Sequence, residues 1–442
     1  MKKKMTLTES LTISSMLFGL FFGAGNLIFP AYLGQAAGRY VWLALLGFLI
    51  TGVGMPLLAI AALGITKSTG LFDLSSRVGK KFALFFTCLL YLSIGPFFAI
   101  PRCFTVPFET GISSLLPGSF NKQLGLFLFT LIFFALMLFF SLRPGRIMDW
   151  IGKFLTPMFL IVFFTIMITA LLHPTGSASG KALGASYAKS PLLTGVLAGY
   201  NTLDVLAGLA FGIIVVSSIQ VFGVTEPDQI AKETVKTGIL TSILMAIIYG
   251  ITSLAGATSR PLGIADNGGT ILANIAHHYF PGFGAILFAL MVFIACLKTA
   301  IGLITACAET FNGLFPKYSY NKWAIFFNVF ALAVANIGLG AIISISTPFL
   351  MLLYPLAISL IIMALTGNFC HFEKSDCQII TAVTFICALG DFFKALPSQP
   401  AFLVKIYSNL PLYKGGLGWL VPFLIAYVIL AIRRLIKGNK LK

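Results

Sequence analysis

Residues 11–30 read LTISSMLFGLFFGAGNLIFP, and the run Gly23-Ala24-Gly25-Asn26 in the middle of it decides the fold. The segment is apolar enough to enter a bilayer, where a spanning helix is expected to be regular. Two glycines lower the cost of non-helical backbone, and Asn26 brings a polar side chain to membrane depth. A helix broken there leaves N–H groups on one half and C=O groups on the other without intrahelical partners. Such groups are ligands for a small zwitterion or an ion. The same Gly-x-Gly spacing also suits close helix packing, so this segment alone leaves both readings open.

The rest of the chain fixes the setting. Of 442 residues, 58% are apolar and only 10% charged, and the mean hydropathy is +0.98. That is more apolar surface than a soluble core hides, so the chain reads as an all-α polytopic membrane protein. Apolar runs long enough for a bilayer fall near 10–36, 40–65, 82–108, 123–142, 152–172, 198–222, 234–257, 282–311, 323–340, 342–366, 378–396 and 416–435, twelve in all. The Met1-Lys-Lys-Lys4 start imitates a signal peptide, but the apolar pattern continues through Leu27–Pro30, so an uncleaved first span is expected.

Basic residues orient the spans. With the N-terminus inside, the interior segments hold twenty Lys and Arg, including Lys2, Lys3, Lys4, Lys67, Arg77, Lys80, Lys81, Lys374, Lys440 and Lys442. The exterior segments hold eight, and Arg102 and Lys298 fall within spans. This bias predicts cytoplasmic termini in a cytoplasmic, or inner, membrane. It also accounts for the net charge of +17 without nucleic acid. The connection VTEPDQIAKETVKTG (224–238) reads as a short interfacial helix capped by Thr225.

Enzyme chemistry finds no support. There is no nucleophile elbow, phosphate loop, HExxH or cluster of paired carboxylates on one span. Seven cysteines show neither disulfide framework nor zinc spacing, and His173, His277, His278 and His371 all fall in connections. No cofactor, metal or obligate protein partner is therefore expected. Three charges inside spans invite a role instead. Arg102 and Asp204 both come out near the outer interface, as an ion pair gating a site or as a static pair, with Glu109 an alternative partner for Arg102. Lys298 falls mid-span in ACLKTAIGLITACAE, where a bare ammonium is costly unless paired, hydrated or coordinated by carbonyls.

A second interrupted span is expected at the matching position of an inverted repeat. The sixth, GYNTLDVLAGLAFGIIVVSS, carries Asn201, Asp204, Gly208 and Gly212, five spans after the first. This divides one transmembrane domain into a cytoplasmic start (1–9), a first repeat (10–173), a second repeat (198–366), two further helices (378–435) and a cytoplasmic tail (436–442).

The motif LFGLFFGAGNLIFP closely resembles the signature of the bacterial branched-chain amino acid carriers, the sodium-coupled leucine/isoleucine/valine symporters. Segments 91–112, 141–157, 199–216 and 295–309 resemble that family's segments in the same order, so the resemblance covers nearly the whole chain. It implies the leucine-transporter fold and a secondary transporter of branched-chain or similar apolar amino acids, with a channel or passive facilitator as the competing class. The substrate carboxylate would then meet N–H groups around Gly23, Ala24, Gly25 and Asn26. Its ammonium would meet carbonyls near Phe21, Ala207 and Gly208, and its side chain would lie among Phe97 and Phe211. A sodium site is implied at the carbonyls of Gly19 and Phe22, with Ala295 and two hydroxyls on the eighth span. Thr299 supplies one hydroxyl, but Lys298 stands where the other belongs. The expectation is that the ammonium replaces sodium, with protons or exchange driving transport.

Overall fold

Leu7–Phe21 and Ala24–Ala37 are two helices, not one. In the computed structural model, which describes residues 4–439, they meet at Phe22–Gly23. Lys2, Lys3, Lys440 and Lys442 of the charge pattern lie outside the described residues. Thr6 opens the first half through a reciprocal cap: the Glu9 N–H donates to Thr6 Oγ1 at 3.3 Å and the Thr6 N–H to Glu9 Oε2 at 2.7 Å. Gly23 is extended (φ −109°, ψ −156°), which stops the ladder. Its N–H is taken by Asn26 Oδ1 at 3.0 Å. The amide that looked out of place in an apolar span thus stabilises the interruption by offering the backbone a local acceptor.

The sixth span is broken as well, between Pro191–Tyr200 and Asp204–Val221. The turn is closed by the N–H groups of Asn201, Thr202 and Leu203 donating to Ala198, Gly199 and Tyr200 at 3.2, 3.3 and 3.2 Å. Leu203 takes a left-handed conformation (φ +67°), an uncommon choice for a branched side chain. Here the sequence reading needs correction, because Ala207–Gly212 lies inside an unbroken helix. Gly208 and Gly212 serve packing: a Cβ would stand 3.1 Å from the Pro56 carbonyl oxygen at the former and 2.2 Å from Leu63 Cδ1 at the latter.

Among the described residues nine helical stretches are long and apolar enough to cross a membrane, and one of them, Ala24–Ile65, turns at Gly38–Tyr40. With half-helices joined, and Tyr320–Ala335 and Leu420–Asn439 included, the described residues form helical segments at the positions of the twelve expected spans. The connection at 224–238 is not a separate short helix. Glu226 takes the cap position, Pro227 begins the helix, and a single 32-residue helix runs to Thr258.

The second half of span one packs on span seven with backbones nearly touching. A Cβ on Gly34 would lie 1.9 Å from the Ser253 oxygen, and one on Gly256 2.2 Å from the Ala31 oxygen. Small residues at a helix interface are the way membrane helices gain van der Waals contact. The outer surface carries Leu131, Ile132, Ile161, Ile243, Ile247, Ile425 and Ile429 exposed, an apolar girdle suited to lipid.

Candidate functional site

The two breaks face one cavity. Its wall comprises Leu20, Phe21, Gly23, Ala24, Gly25 and Asn26 from span one, with Asn201, Thr202, Leu203, Asp204 and Ala207 from span six. Ile94, Ala99, Arg102 and Cys103 of span three and Thr299 and Leu303 of span eight complete it. The first-turn N–H groups of Ala24, Gly25 and Asn26 have no intrahelical acceptor and open the positive end of a half-helix onto this space. The carbonyl ends of Leu7–Phe21 and Pro191–Tyr200 reach the same space. About 40 Å³ is free, room for ordered water but too little for a branched side chain unless the walls move.

The charged groups are placed differently from expectation. Arg102 and Asp204 both line the cavity, yet they form no ion pair among the described residues. Asp204 Oδ2 accepts from Asn26 Nδ2 at 2.7 Å and from the Tyr249 hydroxyl at 2.9 Å. Arg102 donates to the Asn201 carbonyl at 3.3 Å and to the Ser346 hydroxyl, while its Nε has no partner. Glu109 is not the partner of Arg102 either, since its carboxylate accepts from the Leu339 N–H at 3.0 Å. Depth accounts for the difference. Both residues sit at the level of the breaks rather than above them, and the side-chain amide of Asn26 reaches the carboxylate first.

Three other expected residues stand away from the cavity. Phe97 packs on Phe330 with ring centroids 5.3 Å apart, and Phe211 is buried behind Phe21 at 5.7 Å. Gly208 turns to span two, and its carbonyl, like that of Ala207, belongs to a continuous helix. The carbonyls at the break are instead those of Asn201 and its neighbours. Tyr249 carries no signal in the sequence, being one tyrosine in an apolar span.

Beside the cavity lies a second polar site. Lys298, fully buried, donates from Nζ to the carbonyl oxygens of Gly19 at 3.1 Å and Phe22 at 2.5 Å. Thr299 Oγ1 donates to Gly19 at 3.2 Å. The rings of Phe18, Phe22 and Phe159 surround the ammonium with centroids 5.3, 5.5 and 4.8 Å away, a cation–π cage. The break in span one creates this site, because only a stopped helix leaves those carbonyls unengaged. Ala295 is buried one turn earlier in an unbroken helix and contributes no free carbonyl. The Thr156 hydroxyl of span five was not foreseen; it is buried without a partner, and a Cβ on Gly19 would fall 2.2 Å from it.

Polar contacts join neighbouring segments at both ends of the bundle. At one end Lys67 pairs with Asp228 at 2.7 Å, the Met5 N–H donates to buried Glu233 at 3.3 Å, and Lys236 donates to Ser10 at 2.9 Å. At the other, Arg260 reaches the Gln35 carbonyl at 2.5 and 3.0 Å and the Lys181 carbonyl at 2.7 Å, and partial burial pulls its guanidinium below the ordinary value.

The sequence profile of branched-chain amino acid transport proteins matches residues 6–437. A branched-chain amino acid permease BrnQ of Lactobacillus delbrueckii subsp. lactis is 67% identical over the whole of both chains. One from Bacillus subtilis (strain 168) is 42% identical over 96% of each. Among solved structures, Mhp1, a nucleobase-cation-symport-1 family transporter, superposes with a TM-score of 0.58 at 17% identity, covering 98% of this chain and 92% of that one. MhsT, solved in complex with L-phenylalanine, superposes with a TM-score of 0.57 at 14% identity over 97% and 99%. At those identities the likeness concerns the fold, and it is the leucine-transporter fold with spans one and six broken. The chain belongs to the family of branched-chain amino acid transport proteins.

Proposed function

We propose that this protein carries branched-chain or similarly apolar amino acids across the cytoplasmic membrane by alternating access. The observation that carries the reading is the meeting of two helix breaks at one buried cavity that also receives Arg102 and Asp204. The substrate carboxylate faces the N–H groups of Ala24 and Gly25 and the open Nε of Arg102, where a half-helix end and a guanidinium both favour negative charge. Its ammonium faces the carbonyls of Phe21 and Asn201 and the carboxylate of Asp204. The aliphatic side chain takes the apolar quarter made by Leu20, Ile94, Ala99 and Leu303. Since little space is free in this state, entry requires one set of end contacts to open while the other stays shut.

The carbonyls that would coordinate sodium are held by Lys298. A metal ion added at the same oxygens would face a positive charge at contact distance with no carboxylate to offset it, so the residues present do not fit sodium there. The reading is therefore sodium-independent transport, driven by protons or by exchange of one amino acid for another. Counter-flow of radiolabelled leucine into liposomes, with sodium and pH varied separately, tests both parts. Saturable counter-flow that persists without sodium is expected. Flux that never saturates would remove the carrier reading, and an absolute sodium requirement at constant pH would remove the Lys298 reading.

A further inference from the structure

Away from the cavity, a groove of about 660 Å³ runs between the start of Lys80–Leu92 and the helices Leu339–Cys370 and Lys374–Ala395. Its rim carries Lys80, Lys81 and Lys374, and its floor is formed by Phe82, Phe85 and Phe385. A neighbouring cleft shares Val78 and Lys374 and adds Arg77. The acids at this end of the bundle are engaged elsewhere: Asp376 and Glu373 both accept from Arg434, and Asp73 accepts from the Thr69 N–H. None of the four cations forms an ion pair with a described residue. The helix beginning at Lys80 has no side-chain cap, and Gly79 before it lines the groove.

Inside the groove lies a polar side chain with nothing to bind. Thr381 is 6% exposed, lines the groove, and its hydroxyl has no hydrogen-bond partner. An unpaired buried hydroxyl is costly, and this one belongs to a side chain that lines a cationic, half-apolar groove, so a ligand accepting from it there would satisfy it.

We propose that this groove binds an anionic phospholipid. The headgroup phosphate sits against Lys80, Lys81 and Lys374 at the open helix N-terminus, where charge and dipole act together. The Thr381 hydroxyl donates to an ester or phosphate oxygen, and an acyl chain lies along Phe82, Phe85 and Phe385. Apolar floor and cationic rim in one groove match a lipid, whereas a free anion has no use for the aromatic floor.

The test uses the full chain purified in detergent and titrated with phosphatidylglycerol or phosphatidylcholine, with bound lipid counted by native mass spectrometry. The wild type is expected to hold one phosphatidylglycerol about tenfold more tightly than phosphatidylcholine. The triple variant Lys80→Gln/Lys81→Gln/Lys374→Gln loses that preference, and Thr381→Val weakens it by a smaller factor. The matching Lys→Arg triple keeps it, which separates lost charge from lost folding. A control triple, Lys122→Gln/Lys189→Gln/Lys405→Gln, removes the same charge elsewhere and leaves the preference intact. An equal loss in the control, an unchanged preference in the groove variant, or displacement of the lipid by inorganic phosphate would each overturn the proposal.

Discussion

Lys298 is the residue on which the ion question turns. Its ammonium supplies donors to two carbonyls that a helix break left bare, so a neutral apolar replacement leaves both unsatisfied. Lys298→Met is expected to lose leucine counter-flow and to lower the melting temperature. Lys298→Ser is more telling, because it places two adjacent hydroxyls opposite the Gly19 and Phe22 carbonyls with no charge among them. In that variant leucine binding is expected to become sodium-stimulated by about tenfold, a coupling of ordinary size, read by binding with and without sodium at constant pH. Arg102 offers a comparable test at the substrate. Hydrogen bonds to charged groups contribute about 1.5–3 kcal/mol, so Arg102→Gln should weaken leucine binding about 10- to 100-fold. Tyr249→Phe removes one of the two donors that hold Asp204, and should weaken binding without abolishing it.

At the scale of elements, the glycine contacts between spans one and seven set the position of the half-helix whose N–H groups face the cavity. Gly34→Val and Gly256→Val push a branched side chain into backbone, and overpacking of this kind costs about 1–3 kcal/mol. Lower melting temperature and weaker substrate binding are expected together, whereas Gly145→Val, with open space around it, should change neither. The same elements show what a sequence discloses. The break in span one was legible because glycines and an asparagine interrupt an apolar run, and Asn26 then makes the local bond that such residues favour. Glycine content alone places the break in span six too late. The chain instead turns at Leu203, whose left-handed backbone has no signature in composition. Partnerships were harder still: the Asn26, Asp204 and Tyr249 cluster joins spans one, six and seven, and no spacing within a single span reports it.

For the whole molecule, the proposed binding mode divides the labour in the cavity and so predicts selectivity. The charged ends of any amino acid can use the half-helix N–H groups, Arg102 and Asp204, so these supply affinity without distinguishing one substrate from another. Discrimination falls to the apolar quarter, where Leu20, Ile94, Ala99 and Leu303 offer no hydrogen bond to reward a polar side chain. Burying a methylene is worth about 0.8 kcal/mol, a factor of about four, and apolar pockets distinguish such differences poorly. Unlabelled leucine, isoleucine and valine are therefore expected to compete for labelled leucine within about fourfold of each other. Serine, lacking the apolar surface, and glutamate and lysine, whose side-chain charges must be buried unpaired, should compete far less. The measurement is inhibition of counter-flow by each amino acid at equal concentration. Strong competition by glutamate or lysine would mean that the side chain leaves the apolar quarter, and the orientation of the substrate between the two broken spans would have to be reversed.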